Sequence, residues 1–294
     1  MSPADPARGA LAAVAGLLAC PECGSGMESR DRMLRCGHGH SFDVAKQGYV
    51  SLLTGASTKM TGDTAAMLDA RAAFQGGGHF APIADAVAAA VAADAPSGPV
   101  LDGDAVLEVG AGTGYYLAAA LDTVPAIGIA LDVAKPAARR GARAHPRAAA
   151  ILADAWRGLP VRDGALRRVL SVFAPRNPSE VARALTTDGR FVVATPTPRH
   201  LAELIGPLAM VTVDPDKDRR LGEAMSGHFT PVERTLVEYS MKLTRADVGN
   251  VVAMGPSAHH PTPHLEAIPE TLEVTASVQI STYQPKGQAL RSPS

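Results

Sequence analysis

From residue 105 onward the chain alternates short apolar runs with amphipathic stretches, the pattern of a parallel sheet covered by helices. Apolar runs at 105–109, 127–131, 149–152, 168–173 and 190–194 predict strands, and the stretches near 115–122, 135–144 and 179–185 predict the helices between them. Residues 187–190 predict a turn into the last of these strands, and 201–209 a further helix. Two alternating runs at 234–243 and 272–282 flank a helical stretch at 245–254 and predict an antiparallel hairpin at one edge. Upstream, Met67, Leu68 and Ala72 share one helical face over 63–74, with Thr61 or Asp63 as cap, and Ile83, Val87 and Val91 are spaced by four over 82–93. Residues 1–16 read as a loose arm, 42–53 as a strand leaving the cysteine-bearing region, and 54–63 as a mobile linker. The division expected is 17–55 metal-binding, 56–104 helical linker, 105–284 main domain and 285–294 a disordered tail.

The junction after the first strand carries candidate chemistry. Gly110, Gly112 and Gly114 follow it and precede a helix. Glycine lets the backbone turn tightly and approach a ligand, and the helix opens with free N–H groups aimed there. A dinucleotide fingerprint would need its third glycine at Tyr115, so the spacing is G-x-G-x-G instead. That spacing looks like motif I of the class I S-adenosylmethionine methyltransferases. The next strand ends in Asp132, about 20 residues on, where an acid grips ribose hydroxyls.

Every cysteine lies in a second cluster, Cys20-x2-Cys23-x12-Cys36-x3-His40. Two tight turns with a short hairpin between them give the donor set of a tetrahedral structural zinc site. On spacing, His38 and His40 both reach the fourth position. So small a lobe has too little core to fold unaided, so the metal supplies its folding energy.

Composition narrows the class. At 46% hydrophobic and 19% charged the chain suits a globular enzyme. The net charge of −1 gives no global basic field, so a nucleic-acid partner needs a local patch. Arg30, Arg32, Arg35, Lys46, Lys59 and Arg71 lie in or near the cysteine cluster and supply one. No apolar stretch is long enough to span a membrane, no secretion signal is read, and an odd number of clustered cysteines points to metal in a reducing cytoplasm.

The ordered motifs carry a specific likeness. They are the Cys-Pro-x-Cys knuckle with Cys36-x3-His40-x-Phe-Asp, Ala45-Lys-Gln-Gly-Tyr-Val-Ser-Leu-Leu, Gly62-Asp-x3-Met, Ala70-Arg-x2-Phe and Gly78-His-Phe. They continue with Gly110-x-Gly-x-Gly-Tyr-Tyr, Leu131-Asp-Val, Ala174-Pro and Thr195-Pro-x-Pro-Arg-His-Leu. From about residue 18 to 283 the chain resembles the bacterial 23S rRNA guanine-N1-methyltransferases (RlmA type), in particular the actinomycete members that give macrolide producers resistance to tylosin or mycinamicin. The resemblance implies an α/β, Rossmann-like class I S-adenosylmethionine-dependent methyltransferase fold with a seven-stranded sheet and a small N-terminal zinc-binding domain. It implies methyl transfer from S-adenosylmethionine to N1 of a guanine in a domain II hairpin loop of 23S rRNA that lines the peptide exit tunnel, which blocks macrolide binding. It implies a zinc lobe that helps recognise RNA, a homodimer with a cleft for it, and a cytoplasmic location. By matching position it implies His40 as fourth zinc ligand and cofactor contacts from Phe80, Gly112, Thr113 and His200. Asp154 stands where some relatives have a small polar residue, so Asp154 and Trp156 are expected to hold the adenine differently.

The target-handling residues are expected in the stretch 172–178, where Arg176 or Asn177 could hydrogen-bond guanine O6. His200 has a suitable pKa for a general base, but the resemblance gives it to the cofactor, so the base is unassigned. His259, His260 and His264 lie among prolines and read as surface or cleft residues rather than metal ligands. Two alternatives are carried: a small-molecule methyltransferase of natural-product biosynthesis, against which the zinc knuckle argues, and an inactive zinc-ribbon RNA-binding protein, against which the intact glycines and Asp132 argue.

Overall fold

The computed structural model describes residues 6–55, 58, 60, 62–93, 104–208, 210, 214, 216–255 and 265–286. Lys59, Thr61, His259, His260 and His264 lie outside them, as does most of the tail. The chain begins with α1 (Pro6–Val14) and a 3₁₀ turn (Ala15–Leu17). Strands β1 (Met27–Arg30), β2 (Met33–Cys36) and β3 (Ser41–Asp43) form a small antiparallel sheet. Next come β4 (Tyr49–Ser51), α2 (Ala65–Gly76) and α3 (Ala81–Ala92). The alternating region supplies β5 (Ala105–Val109), α4 (Tyr115–Thr123), β6 (Ile127–Asp132), α5 (Lys135–Ala144), β7 (Ala148–Leu152), β8 (Leu166–Val172), α6 (Pro178–Ala184) and β9 (Leu185–Pro196). It closes with α7 (Ala202–Ile205), α8 (Lys217–Ser226), β10 (Phe229–Thr244), α9 (Arg245–Ala253) and β11 (Thr271–Pro285).

The large sheet runs β10-β11-β9-β8-β5-β6-β7-β4. The strands from β9 to β7 pair in parallel, and β10 and β11 form the expected antiparallel edge. All seven strands expected for this sheet are present; the one strand expected over 42–53 is instead split into β3 and β4, and β4 adds an eighth, parallel to β7 with Val50 opposite Ile151. Strand β5 sits between β8 and β6, so its carboxyl end lies at the switch point where such sheets bind ligands.

Both sheet faces are covered, and side chains alternate between them with period two. Leu107, Ile129, Val169, Phe191 and Val193 face one core; Val106, Ala130, Leu170, Val192 and Ala194 face the other. The first core also takes Leu11, Val14 and Leu18, so the expected loose arm is instead a helix that buries its apolar side. Met27, Leu34, Cys20 and Cys36 join this core, which seats the small sheet on the large one. The second core takes Phe74, Phe80, Ile83, Val87 and Val91, so the 56–104 segment packs two helices against the sheet.

Other expectations shift locally. The α2 cap is Thr64, whose side chain accepts the Met67 N–H. The turn expected at 187–190 lies inside β9 as a break in register, Leu166 pairing with Leu185 but Arg168 with Arg190. The helix expected over 201–209 is only α7, because Gly206 and Pro207 stop it. The β10–β11 hairpin is longer than expected, because after the buried Phe229 residues 230–236 of β10 are exposed on both faces and show no alternation. Pro285 ends β11, and the Lys286 N–H donates to the His228 carbonyl. Among the described residues no helix is long and apolar enough to cross a membrane.

Candidate functional site

The turn after β5 has the backbone that its glycines require. Gly110 and Gly112 hold φ of 70° and 55°, and Gly114, at 76°, is the N-cap of α4. A Cβ on Gly110 would lie 2.6 Å from the Ala174 Cβ, and one on Gly112 would lie 2.8 Å from Arg71 Nη1. The turn is therefore pressed between the segment after β8 and helix α2. It is also tied to β6, since the Gly110 and Ala111 N–H groups donate to the Leu131 carbonyl. The Thr113 hydroxyl donates to Gln75 Oε1 at 2.7 Å, fixing the turn to α2.

Asp132 ends β6 beside this turn. Its Oδ2 accepts the Gly112 N–H at 2.9 Å and its Oδ1 the Ala134 N–H at 2.8 Å. Burial pushes its carboxyl up, with those two N–H bonds pulling the other way. Each carboxylate oxygen keeps a second lone pair, so both can still accept a hydroxyl. Asp154 is buried; its carboxylate accepts the Thr58 hydroxyl at 2.6 Å and the Trp156 N–H at 3.0 Å, while the Trp156 side chain is exposed.

Sequence reasoning missed Glu108, whose signal was one acid inside an apolar strand. Gly114 has no side chain to cap α4, and Glu108 reaches up from β5 to accept the Leu117 N–H at 3.1 Å. Full burial pushes its carboxyl up to about 8, and Asp132 adds to that push. The folded protein thus keeps the proton after the unfolded chain, ionising near 4.5, has released it. Stability is then fully present below about pH 4.5 and falls as pH rises towards 8, by up to about 1.4 kcal/mol per pH unit. Glu108→Gln keeps an acceptor for Leu117 and is expected to flatten that fall. Urea unfolding of both proteins at pH 5 and pH 8 measures it, and equal slopes would reject a buried, protonated Glu108.

Phe80, buried beneath the cleft, lies with its ring centroid 5.8 Å from His200 and 4.9 Å from Phe74. His200 Nδ1 accepts the Ser277 N–H at 3.2 Å. A neutral imidazole that accepts at Nδ1 carries its proton on Nε2, so this ring is set as a donor there rather than as a base. Asn177 caps α6, its Oδ1 accepting the Glu180 N–H and, at 2.8 Å, the Ser179 hydroxyl. Arg176 is different: its Nη1 is buried without a hydrogen-bond partner, and burial pulls the guanidinium pKa down. Of the basic residues, Arg71 is held by Asp63 at 2.6 Å and by the Met254 carbonyl, and Arg30 by Glu28. Arg32, Arg35 and Lys46 are exposed.

The metal centre sits on the small sheet. The ligand atoms of Cys20, Cys23, Cys36 and His40 all lie within 4.8 Å of one another. Ligands at zinc bond lengths in a tetrahedron are separated by roughly 3.5–3.8 Å. His40 Nδ1 lies 3.6 Å from Cys20 Sγ and 3.4 Å from Cys36 Sγ, and the Cys23 and Cys36 sulfurs are 3.7 Å apart. His38 Nδ1 is held by the Ser25 hydroxyl at 2.9 Å and approaches Cys23 from outside the cluster. Hydrogen bonds from the Ser25 side chain and backbone pull the Cys23 thiol down to about 5, ready as a thiolate ligand. Three sulfurs and one imidazole with no open position fit a structural rather than a catalytic zinc.

Residues 18–57 match the family model for the RlmA N-terminal zinc ribbon. A protein of Micromonospora griseorubida, provisionally named a 23S rRNA (guanine-N1)-methyltransferase, is 45% identical over 91% of this chain and 97% of its own. The 23S rRNA (guanine(748)-N1)-methyltransferase of Streptomyces fradiae is 43% identical over 91% of this chain and 96% of its own. Among solved structures, a provisionally assigned methyltransferase of Bacillus halodurans matches 67% of this chain and 97% of its own with a TM-score of 0.44 at 14% identity.

Proposed function

The chain belongs to the 23S rRNA (guanine-N1)-methyltransferases, and from that membership we propose that it methylates N1 of a guanine in a domain II hairpin loop of 23S rRNA and so confers resistance to macrolides such as tylosin or mycinamicin. The observation that carries this reading is similarity along nearly the whole chain, zinc ribbon and glycine turn included. S-adenosylmethionine supplies an electrophilic methyl group when bound. The turn at Gly110, Gly112, Thr113 and Gly114 lets the backbone approach it, and the two oxygens of Asp132 take the ribose hydroxyls. Phe80 and His200 wall the methionine side, and the loop at Asp154 borders the adenine.

Guanine N1 carries a proton at neutral pH, so transfer requires a site that favours its loss. The unpartnered Nη1 of Arg176 supports a role as donor to guanine O6, which stabilises the deprotonated base. Asn177 is spent on its helix cap, which favours Arg176 of the two. We assign 17–55 to RNA recognition, 56–104 to helices that complete the cofactor cleft and 105–284 to catalysis. The open edge strand β10, with Val232 and Leu236 exposed, supports a homodimer, and the reduced cysteine cluster supports a cytoplasmic location.

Tritium from labelled S-adenosylmethionine is expected to enter 23S rRNA and not a small-molecule extract. Primer extension should then stop at one guanine, because an N1 methyl blocks the pairing edge. Transfer to the extract alone would establish the small-molecule reading. Removing the charges of Arg32, Arg35 and Lys46 together should flatten the salt dependence of RNA binding by about 0.7–0.9 of a log unit of slope per lost phosphate contact. An unchanged slope would place the RNA elsewhere.

A further inference from the structure

Phe173 breaks two rules at once. It follows β8 with φ of 54°, a conformation that bulky residues rarely adopt, and it is 38% exposed although it is a large apolar side chain. Such strain persists only where the surroundings impose it, and here they do. The Phe173 N–H donates to the Ala194 carbonyl at 3.1 Å, and the Ser171 hydroxyl donates to the Ala174 carbonyl at 3.2 Å. Ala174 in turn lies against Gly110, so the ring is held at the mouth of the glycine turn.

The ring is also backed. His200 lies nearly parallel to it, at 24° and 5.7 Å between centroids, and the Ser277 N–H fixes His200. Tyr116 meets it edge-on at 6.1 Å, and Phe80 lies 6.1 Å away in the core. A rigid aromatic ring, supported from within and open to solvent, offers a face on which a flat π-system stacks. The nucleoside end of the methyl donor belongs to the other flank of β5, where Asp132 and Asp154 end β6 and follow β7. The flat group left for the β8 flank is the acceptor base. Resting on the function proposed above, we propose that Phe173, backed by His200, is the platform on which the extruded RNA purine stacks during methyl transfer.

The test compares Phe173→Leu, which keeps apolar bulk without a π face, with Phe173→Tyr, which keeps the face. Steady-state tritium transfer to a domain II rRNA fragment, calorimetry with S-adenosylhomocysteine and a melting curve are measured for each. Phe173→Leu is expected to lose about 10- to 100-fold in kcat/KM, the range of one base–aromatic stack, while its affinity for S-adenosylhomocysteine stays within about twofold. Phe173→Tyr should retain activity within about threefold, since its ring stacks equally well. A leucine variant at the wild-type rate overturns the proposal, as does a tyrosine variant that loses as much as leucine. A leucine variant whose cofactor affinity falls by the same factor as its rate also overturns it, placing the ring in the cofactor wall. If the wild-type protein transfers no methyl to rRNA, the proposed function itself fails and the platform falls with it; wild-type activity with an unimpaired leucine variant defeats the platform alone.

Discussion

Cys36→Ser is expected to strip the protein of its metal and to cost about 4 kcal/mol or more of folding stability, the class of loss that follows removal of a structural metal. The effect is large because the ribbon is not a free appendage. Cys20 and Cys36 share one core with Leu107, Ile129 and Phe191 of the large sheet, so a ribbon that unravels also uncovers that sheet face. Metal analysis of the purified wild type should give one zinc per chain, and the variant none, with a melting transition lowered accordingly. His40→Ala should behave like Cys36→Ser, whereas His38→Ala should keep its zinc, because Ser25 holds His38 outside the cluster. Equal metal loss from the two histidine variants would defeat the assignment of His40. The same packing argues against dissecting function by deleting the first fifty residues: Leu11, Val14, Leu18 and Val50 are all buried, and their loss would open the core.

Asp132→Ala is expected to weaken S-adenosylhomocysteine binding by about 100-fold or more, since two charge-assisted hydrogen bonds to ribose are worth about 1.5–3 kcal/mol each. RNA binding should change far less. Asp132 also accepts the Gly112 and Ala134 N–H groups, so alanine loosens the turn as well. Asp132→Asn keeps one carbonyl acceptor and separates the two effects: it should retain the wild-type melting temperature more nearly than alanine while still binding the cofactor weakly. A dissociation constant unchanged in both variants would mean that the ribose sits elsewhere.

The strands from β5 to β9 were legible because each is an apolar run closed by glycine, proline or charge, and burial on both faces leaves little else such runs can form. The metal ligands were legible from spacing, which left His38 and His40 open; the family resemblance pointed to His40, and the Ser25 contact that holds His38 away gives the physical reason. The run 42–53 was legible as extended chain, but not that it splits into β3 and a three-residue β4 that becomes a strand only by docking on β7, about a hundred residues away. The packed α1 was hidden by alanines that look alike whether exposed or buried. In the candidate site, Gly110, Gly112 and Asp132 stood out by residue type and position. Glu108 and Phe173 did not, because their roles depend on where β5 and β8 end in space and on what lies against them.

Strand β4 has a further consequence, for the order in which the chain can assemble. Its partner, β7, lies about a hundred residues downstream, and helix α1 packs on that same strand and on its neighbour β6. A ribosome that has released the ribbon has not yet made the surface on which the ribbon and its exit strand must rest. The metal can close the knuckles early, since all four ligands are local. Docking of the first fifty residues must then wait for β7, and until it comes Leu11, Val14 and Val50 face water. The N-terminal part of this chain is therefore the first to be made but is seated only once β7, midway along the chain, has followed it, and a loop closure of that length must be made before its contacts begin to repay it.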